Sequence, residues 1–246
     1  MSIFSSIKDA AMSALFPRRC PLCGGVISAS ERVCGECSVL IDYIRPPICK
    51  RCGRPPFDCT CRPGDFYFDR CVSPFVYTKA IRSGIHRLKF RNSPDSAAFF
   101  GRMMARLVAQ EYGDARIGIV CCVPLHPEDQ RARGYNQAAL LGKVVAHDLE
   151  LNWDARVLAK TQRTSAQHTL SRSERQGNVA GIFEVARPDL IQGRTVLLCD
   201  DIFTTGNTLN ECTRVLYEAG AGRVLCVTAA TVCPSREGGI KRHLVG

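Results

Sequence analysis

The sequence predicts an α/β protein, with a mostly parallel sheet flanked by helices and a small cysteine-rich domain in front of it. After residue 71, short apolar segments of strand type alternate with amphipathic segments, and this alternation requires crossover connections between parallel strands. Eight of the fifteen cysteines fall between Cys20 and Cys61, where helical and strand periodicity is weak. A chain of 246 residues can bury one substantial core and still carry a satellite domain. We therefore expect an N-terminal helix over residues 1–17, a cysteine-rich domain over 18–70 and an α/β domain over 71–246.

The first element is a short helix with one apolar side, because Ile3, Phe4 and Ile7 recur at spacings of three and four. One interpretation docks this side onto the protein's own core, and the other places it on the inner membrane, although Lys8 alone lies on its polar side. No segment approaches the roughly 18 apolar residues of a membrane span, and no signal peptide is recognisable. We expect a cytoplasmic protein without an integral membrane span.

The cysteine spacing of the second element indicates zinc rather than disulfides. Two Cys-x-x-Cys pairs separated by ten residues form the first set, and one Cys-x-x-Cys pair followed by a Cys-x-Cys pair forms the second. The expected ligands are Cys20, Cys23, Cys34 and Cys37 for one Zn2+, and Cys49, Cys52, Cys59 and Cys61 for another. The irregular last pair leaves open one zinc or two, and pairing between the halves. Four thiolates leave no coordination position open, so the zinc should be structural.

The α/β domain follows as a series of alternating elements. "CVSPFVY" predicts a strand, residues 79–90 and 96–112 two helices, and "IGIVCCV" a buried strand. A polar loop, "PLHPEDQRARGYNQ", then leads to a helix over 136–149. "RVLAK" and "GIFEV" predict strands around a long polar loop over 160–178, and "TVLLCDD" predicts a strand before a helix over 207–218. "RVLCVTAATV" predicts the last strand.

Asp200 and Asp201 end an apolar strand, at the edge of the sheet where pockets of parallel sheets open. Successive strand residues point to opposite faces, so the two like charges need not face each other. Both carboxylates can then accept hydrogen bonds from the vicinal hydroxyls of one ligand. The next residues, 204–208, open a helix whose free N–H groups favour an anion. These features predict a ribose 5-phosphate pocket. The alternative, an Asp cap before an ordinary Thr-rich turn, leaves one carboxylate unexplained.

Residues 196–208, "VLLCDDIFTTGNT", resemble the phosphoribosyl pyrophosphate motif of type I phosphoribosyltransferases. The resemblance implies that Asp200 and Asp201 hold the ribose hydroxyls. It also implies that the 5-phosphate is bound by Thr204, Thr205, Gly206, Asn207 and Thr208. The whole chain is similar to the ComF family, also called ComFC, in which a zinc segment precedes a type I phosphoribosyltransferase fold. "YTKAIRSGIHRLKFRN", "PLHPEDQRARGYNQA" and "KTQRTSAQHTLSRSERQGNV" carry this similarity beyond the motif.

A diphosphate leaving group needs Mg2+ and hydrogen-bond donors, because its developing negative charge must be stabilised. The predicted donors are Arg131, Arg133, Gly134, Asn136 and Gln137 before and at the start of one helix, and Lys160 and Arg163 in the long loop. We expect that loop to close over the diphosphate. The alternatives are an exposed Arg-rich turn for the first group and a disordered segment for the second.

The net charge of +10 suits a polyanionic partner, and residues 79–106 alone hold seven Lys or Arg against one acidic residue. A solvated helix face is the alternative for this block. Three functions follow as hypotheses. The first is a phosphoribosyltransferase, a pentosyltransferase acting on an unspecified acceptor. The second, implied by the family's link with natural transformation, is a non-catalytic factor that binds single-stranded DNA and works with the DNA-uptake machinery. The third is a sensor of phosphoribosyl pyrophosphate.

Overall fold

The computed structural model describes residues 17–90, 93–162 and 181–237. The predicted helix up to residue 16, residues 163–178 of the predicted long loop, and Arg163 with them, lie outside the described residues. The described ranges contain seven α-helices, seven strands and two short 3₁₀ turns.

A five-stranded, fully parallel sheet forms the centre of the α/β domain. The strands are β1 (Arg70–Val72), β2 (Phe75–Val76), β3 (Ile117–Cys122), β6 (Thr195–Phe203) and β7 (Arg223–Thr231). Their order is β1-β7-β6-β3, with β2 also paired to β7. A separate antiparallel pair contains β4 (Leu158–Lys160) and β5 (Phe183–Val185). The predicted parallel sheet is confirmed.

The helices connect these strands and cover both faces. They are α1 (Gly35–Ser38), α2 (Lys79–Phe90), α3 (Pro94–Tyr112), α4 (Pro127–Arg133), α5 (Gln137–Asp148), α6 (Asn207–Glu218) and α7 (Pro234–Glu237). The 3₁₀ turns span Pro56–Asp58 and Pro188–Leu190. The predicted bounds of α2 and α6 agree with the structure, and α3 begins two residues before its predicted start.

Two apolar clusters lie on opposite faces of the sheet, because alternate strand residues point to opposite sides. Leu197 and Cys199 of β6 belong to the cluster that includes buried residues of α2, α3 and α5. Val196 and Leu198 belong to the other cluster, which includes buried residues of α6 and of the β4–β5 pair. This double covering explains why β6 reads as a continuous apolar run.

Two elements differ from their prediction. "CVSPFVY" forms two short strands, since the Ser73-Pro74 step interrupts pairing with β7. The predicted polar loop after β3 contains α4, which has the usual helix signals: a His126 cap that accepts the Glu128 N–H at 3.3 Å, and Gly134 at φ +82° after its last turn. Arg131 and Arg133 therefore lie on a helix rather than in a loop.

The cysteine-rich region packs directly on the α/β domain. Cys20 and Leu22 belong to the same apolar cluster as α2 and α3. The Ser96 hydroxyl of α3 donates to the Pro21 carbonyl at 2.8 Å, and the Cys71 N–H of β1 donates to the Arg51 carbonyl at 2.8 Å. These contacts hold the cysteine-rich region on the α/β domain, so the region does not need an apolar core of its own.

Candidate functional site

The two adjacent carboxylates lie near the end of β6, at the carboxyl edge of the sheet. Asp201 continues the row of Leu197 and Cys199, and its Oδ2 lies 2.7 Å from Lys89 Nζ of α2. Asp200 continues the other row, and its Oδ1 accepts the Asp201 N–H at 2.8 Å. The two side chains therefore leave the strand in different directions, as the strand period requires.

The electrostatics of this pair are those of a buried like-charged site. Burial, followed by the negative charge of Asp201, raises the pKa of Asp200 well above its ordinary value. Burial alone would lower the pKa of Lys89, but the carboxylates of Asp201 and Asp200 outweigh it and the pKa of Lys89 is raised. The site thus holds two carboxyl groups for one lysine, and it carries more negative charge than Lys89 neutralises only once the pH reaches the raised pKa of Asp200. Carboxylate oxygens in this state suit a divalent cation such as Mg2+ and the hydroxyls of a sugar.

The predicted phosphate loop, residues 204–208, lies between β6 and α6. Gly206 has φ +84°, and a Cβ there would lie 2.7 Å from the Phe66 ring and 2.9 Å from the Phe203 ring. Only glycine fits this backbone and this packing. α6 begins at Asn207, and the Asn207 N–H lies 3.5 Å from Thr205 Oγ1. The loop is thus a tight, small-residue turn at the N-terminus of a 12-residue helix, the arrangement that favours an anion.

The predicted pyrophosphate side is only partly available to a ligand. Asn136 is buried, and its amide caps α5 through the Ala138 N–H at 2.9 Å while donating to the Val123 carbonyl at 2.9 Å. Gln137 is also buried, and its Oε1 accepts from Arg133 at 2.7 Å. Both amides therefore position α4 and α5 at the end of β3. The guanidinium groups of Arg131 and Arg133 remain the predicted ligand contacts, whereas the Gly134 N–H donates to the Gln130 carbonyl at 2.7 Å.

Arg133 and the acid pair both contact α2. The Arg133 guanidinium stacks over the Phe90 ring at 5.4 Å, and the preceding residue, Lys89, pairs with Asp201. The charge of Asp129 on α4 acts on Lys160 of β4. Burial, only partly offset by Asp129, lowers the pKa of Lys160. α2 therefore contacts both α4 and the end of β6.

Sequence reasoning missed three residues of this edge. Lys89 was recognised only as part of a basic segment, and neither Arg54 nor Phe66 was assigned a role. Arg54 is 9% exposed and donates to the Thr204 carbonyl, and Phe66 packs against Gly206. The helical position of Lys89, directly after the buried Leu88, gave a signal that it borders the core. No signal in the sequence connected Arg54 with a loop 150 residues away.

The eight predicted metal ligands gather into two separate clusters, each with its sulfur atoms within 4.8 Å of one another. In the first, Cys23 and Cys34 Sγ atoms are 3.7 Å apart; in the second, the Cys52–Cys59 pair is 3.6 Å apart. A tetrahedron with Zn–S bonds of about 2.3 Å has edges of about 3.8 Å, so both clusters fit Zn2+. The sets do not mix between halves, and all fifteen cysteines, each within the described ranges, are free of disulfides.

Comparison with known proteins agrees with this architecture. A model of the double zinc ribbon domain matches residues 11–72, and a model of the phosphoribosyl transferase domain matches residues 137–243. The DNA utilization protein YhgH of Salmonella typhi is 30% identical over 208 residues, which cover 83% of this chain and 86% of the relative. Competence protein F of Haemophilus influenzae is 29% identical over 227 residues, covering 87% and 96%. This chain belongs to the ComF family.

A further ComF relative, competence protein ComFC of Bacillus subtilis, is 26% identical over 208 residues and covers 79% of this chain and 82% of its own. Among solved structures, the allosteric regulatory enzyme of purine biosynthesis aligns with 57% of this chain and 29% of its own at 17% identity, with a TM-score of 0.39. The protein TT1426 of Thermus thermophilus aligns with 59% and 86% at 15% identity and a TM-score of 0.35. These structures concern the fold only. The predicted family and fold class are confirmed by the ComF relatives and the domain models.

Within residues 17–90, 93–162 and 181–237, none of the helices is both long enough and apolar enough to span a membrane.

The metal content tests the two clusters separately. We expect two zinc ions per wild-type chain and one in either Cys23→Ser or Cys61→Ser, because each variant removes one ligand of one four-thiolate set. Elemental analysis gives the stoichiometry. Cys212→Ala, which changes a buried cysteine outside both clusters, should keep two. One zinc in the wild type and none in both ligand variants would contradict two independent sites.

The buried acid pair predicts a pH dependence of stability. The unfolded chain releases the Asp200 proton near the ordinary pKa of 3.8, whereas the folded chain keeps it up to the raised pKa. The folded state therefore loses stability as the pH rises from about 3.8 to the raised pKa. Asp200→Asn cannot ionise. Its melting temperature relative to wild type, in Mg2+-free buffer, should therefore increase by at least about 3 °C between about pH 5 and about pH 8.

Asp201→Asn is the matched comparison, because it removes a charge one residue away but leaves Lys89 without its carboxylate at 2.7 Å. Its melting temperature should fall below wild type at both pH values. A pH-independent difference between Asp200→Asn and wild type would show that the Asp200 carboxyl titrates normally.

Proposed function

We propose that this protein binds phosphoribosyl pyrophosphate with Mg2+ and transfers its phosphoribosyl group to a nucleophilic acceptor. The proposal follows from one observation: an acid pair near the carboxyl end of β6, with Asp201 buried and Asp200 half-buried, is followed after two residues by a small-residue turn at the N-terminus of α6. The carboxylates suit a sugar diol, and the turn suits the phosphate a few atoms away. The match to the phosphoribosyl transferase domain over residues 137–243 supports the same ligand.

In this proposal the chain positions and stabilises charge rather than supplying a nucleophile. The bond from the anomeric carbon to the diphosphate oxygen breaks, a bond to the acceptor forms, and pyrophosphate leaves. Mg2+ supplies charge neutralisation for the diphosphate. Asp200 and Asp201 hold the ribose hydroxyls and stabilise the cationic sugar, and residues 204–208 hold the 5-phosphate. Arg131, Arg133, Lys160 and Arg163 are proposed to contact the diphosphate.

Calorimetric titration with phosphoribosyl pyrophosphate and Mg2+ tests this pocket. Thr205→Glu should weaken binding by at least about 100-fold, because a carboxylate in the turn repels the 5-phosphate. Gln110→Glu adds the same charge on exposed surface near the end of α3, and it should bind like wild type. Equal affinity of Thr205→Glu and wild type would place the phosphate elsewhere.

Single-stranded DNA binding is a second candidate function, and a specific surface favours it. Five arginines and the half-buried Phe99 line a groove of about 280 Å³ between the first cysteine cluster and α3, with Asp95 as the acidic group there. The arginines are Arg18, Arg19, Arg32, Arg102 and Arg106. A basic groove with an aromatic ring suits a phosphate backbone and its bases. The names of the relatives, which refer to DNA utilization and competence, support this candidate.

The salt dependence of oligonucleotide binding tests the groove. Each phosphate contact adds about 0.7 to the slope of log affinity against log salt for single strands. Arg102→Gln combined with Arg106→Gln should therefore reduce the slope by about 1.4 in fluorescence anisotropy titrations of a labelled oligothymidylate. The pair Arg116→Gln and Arg194→Gln, exposed residues before β3 and β6, is the control with the same change in net charge. Equal slopes for the two pairs would exclude the groove as the contact surface.

A further inference from the structure

The second cysteine cluster lies against the phosphate loop. The Arg54 guanidinium, two residues after Cys52, donates to the Thr204 carbonyl and to Thr231 Oγ1 at 3.3 Å. It also lies 4.9 Å from the centre of the Phe203 ring. Arg54 is 9% exposed, so its charge and its hydrogen bonds are held in a largely dry environment. The start of the loop is therefore held by a residue of the cysteine-rich region.

Two further contacts hold the segment after the cluster on the same loop. A Cβ on Gly206 would lie 2.7 Å from the Phe66 ring, so the ring packs directly against this glycine. Asn210, in the first turn of α6, accepts the Tyr67 N–H at 2.5 Å and donates to the Asp65 carbonyl at 3.5 Å. We define residues 49–68 as the second knuckle. It contacts the loop at Thr204 and Gly206 and the first turn of α6 at Asn210.

A cavity of about 360 Å³ lies between the second knuckle and the loop. Thr205 and Asn207 line it from the loop, and Arg54, Thr60 and Arg62 line it from the knuckle, together with Asp65. Its charged groups are thus two arginines and one aspartate. Hydroxyls, an amide and guanidinium groups around a cavity at a helix N-terminus are donors for an anion.

The metal centre makes these cations necessary. Four thiolates with one Zn2+ carry a net charge of −2, and Cys52 and Cys61 also line the cavity. A phosphate beside such a centre would be repelled unless nearby cations offset the negative charge. Arg54 and Arg62 are the cations of the cavity lining.

We propose that the second knuckle forms the outer wall of the phosphate site, with Arg54 as the positioning residue of the loop and Arg62 as a cation facing the bound phosphate monoester. This inference rests on the proposed function, because it concerns the same loop. It makes the zinc-binding region a part of the ligand site rather than an appended module. The residues that line the cavity belong to the knuckle and the loop rather than to α4, so the diphosphate side should be independent of the wall.

Calorimetry with two probes, ribose 5-phosphate and Mg2+-pyrophosphate, tests the wall on the full-length zinc-loaded protein. Arg62→Gln and Arg54→Gln should each weaken ribose 5-phosphate binding about 10-fold or more, because each removes a charge-assisted interaction or its support. Pyrophosphate binding should stay unchanged. Arg54→Lys, which keeps the charge, should recover part of the loss. Arg51→Gln is the matched control, since Arg51 lies in the same knuckle but donates to the Phe68 carbonyl at 2.8 Å, away from the cavity.

The zinc content and melting temperature of each variant separate the outcomes. Wild-type affinity for ribose 5-phosphate in both arginine variants, with loss of binding in Thr205→Glu, would overturn the wall and leave the proposed function intact. Faster zinc release to a chelator without a change in affinity would assign the arginines to the metal centre and also overturn it. Equal binding by wild type and Thr205→Glu would reject the proposed function itself. If Arg54→Gln does not fold, the exposed Arg62 decides the test.

Discussion

The pairing of β6 with β7 is the constraint on which the rest of the structure depends. The two strands run in parallel register from Thr195 opposite Arg223 to Phe203 opposite Thr231. The pairing with β7 continues beyond the apolar part of β6 and past the acid pair, and it ends at Phe203. The two aspartates therefore lie on a strand rather than on a loop. Before the aspartates, this strand pairs with β3 on one side and with β7 on the other. A site on a rigid element holds its side chains more accurately than a site on a connection.

Rigidity has an electrostatic consequence at this edge. Two adjacent carboxylates in a largely buried position destabilise the folded chain when both are ionised, and one lysine from α2 compensates only part of this. Lys89 has a second consequence, because it occupies the Asp201 oxygen that the proposal gives to a ribose hydroxyl. A ligand would have to share or displace that contact. Strain of this kind is typical of binding sites, where stability is lower than a purely structural arrangement would give.

Much of the fold was predictable because its signals are local, whereas the site depends on contacts that are distant in sequence. The apolar run of β6, the period of α2 and the Cys-x-x-Cys spacing each lie within a short segment, and the structure confirms each. The helix α4 was missed because its charged sequence lacks an apolar stripe, and none of its residues is buried. Asn136 and Gln137 could serve a ligand or their own helix, and burial decides for the helix. The roles of Lys89 and Arg54 depend on packing between α2, the cysteine-rich region and β6, which only the assembled fold provides.

The cysteine-rich region illustrates how a small domain can gain stability and contribute to a site at once. Its buried apolar residues join the clusters of the α/β domain rather than a core of their own, and two cysteine clusters that fit zinc replace that core. Metal clusters fix the backbone but cover little surface, and the uncovered side must pack on something else. In this chain Cys20 and Leu22 complete the apolar cluster on one face of the sheet, and Cys52 and Phe68 complete the cluster on the other. The region therefore packs on both faces of the sheet. This packing places its second knuckle at the end of β6.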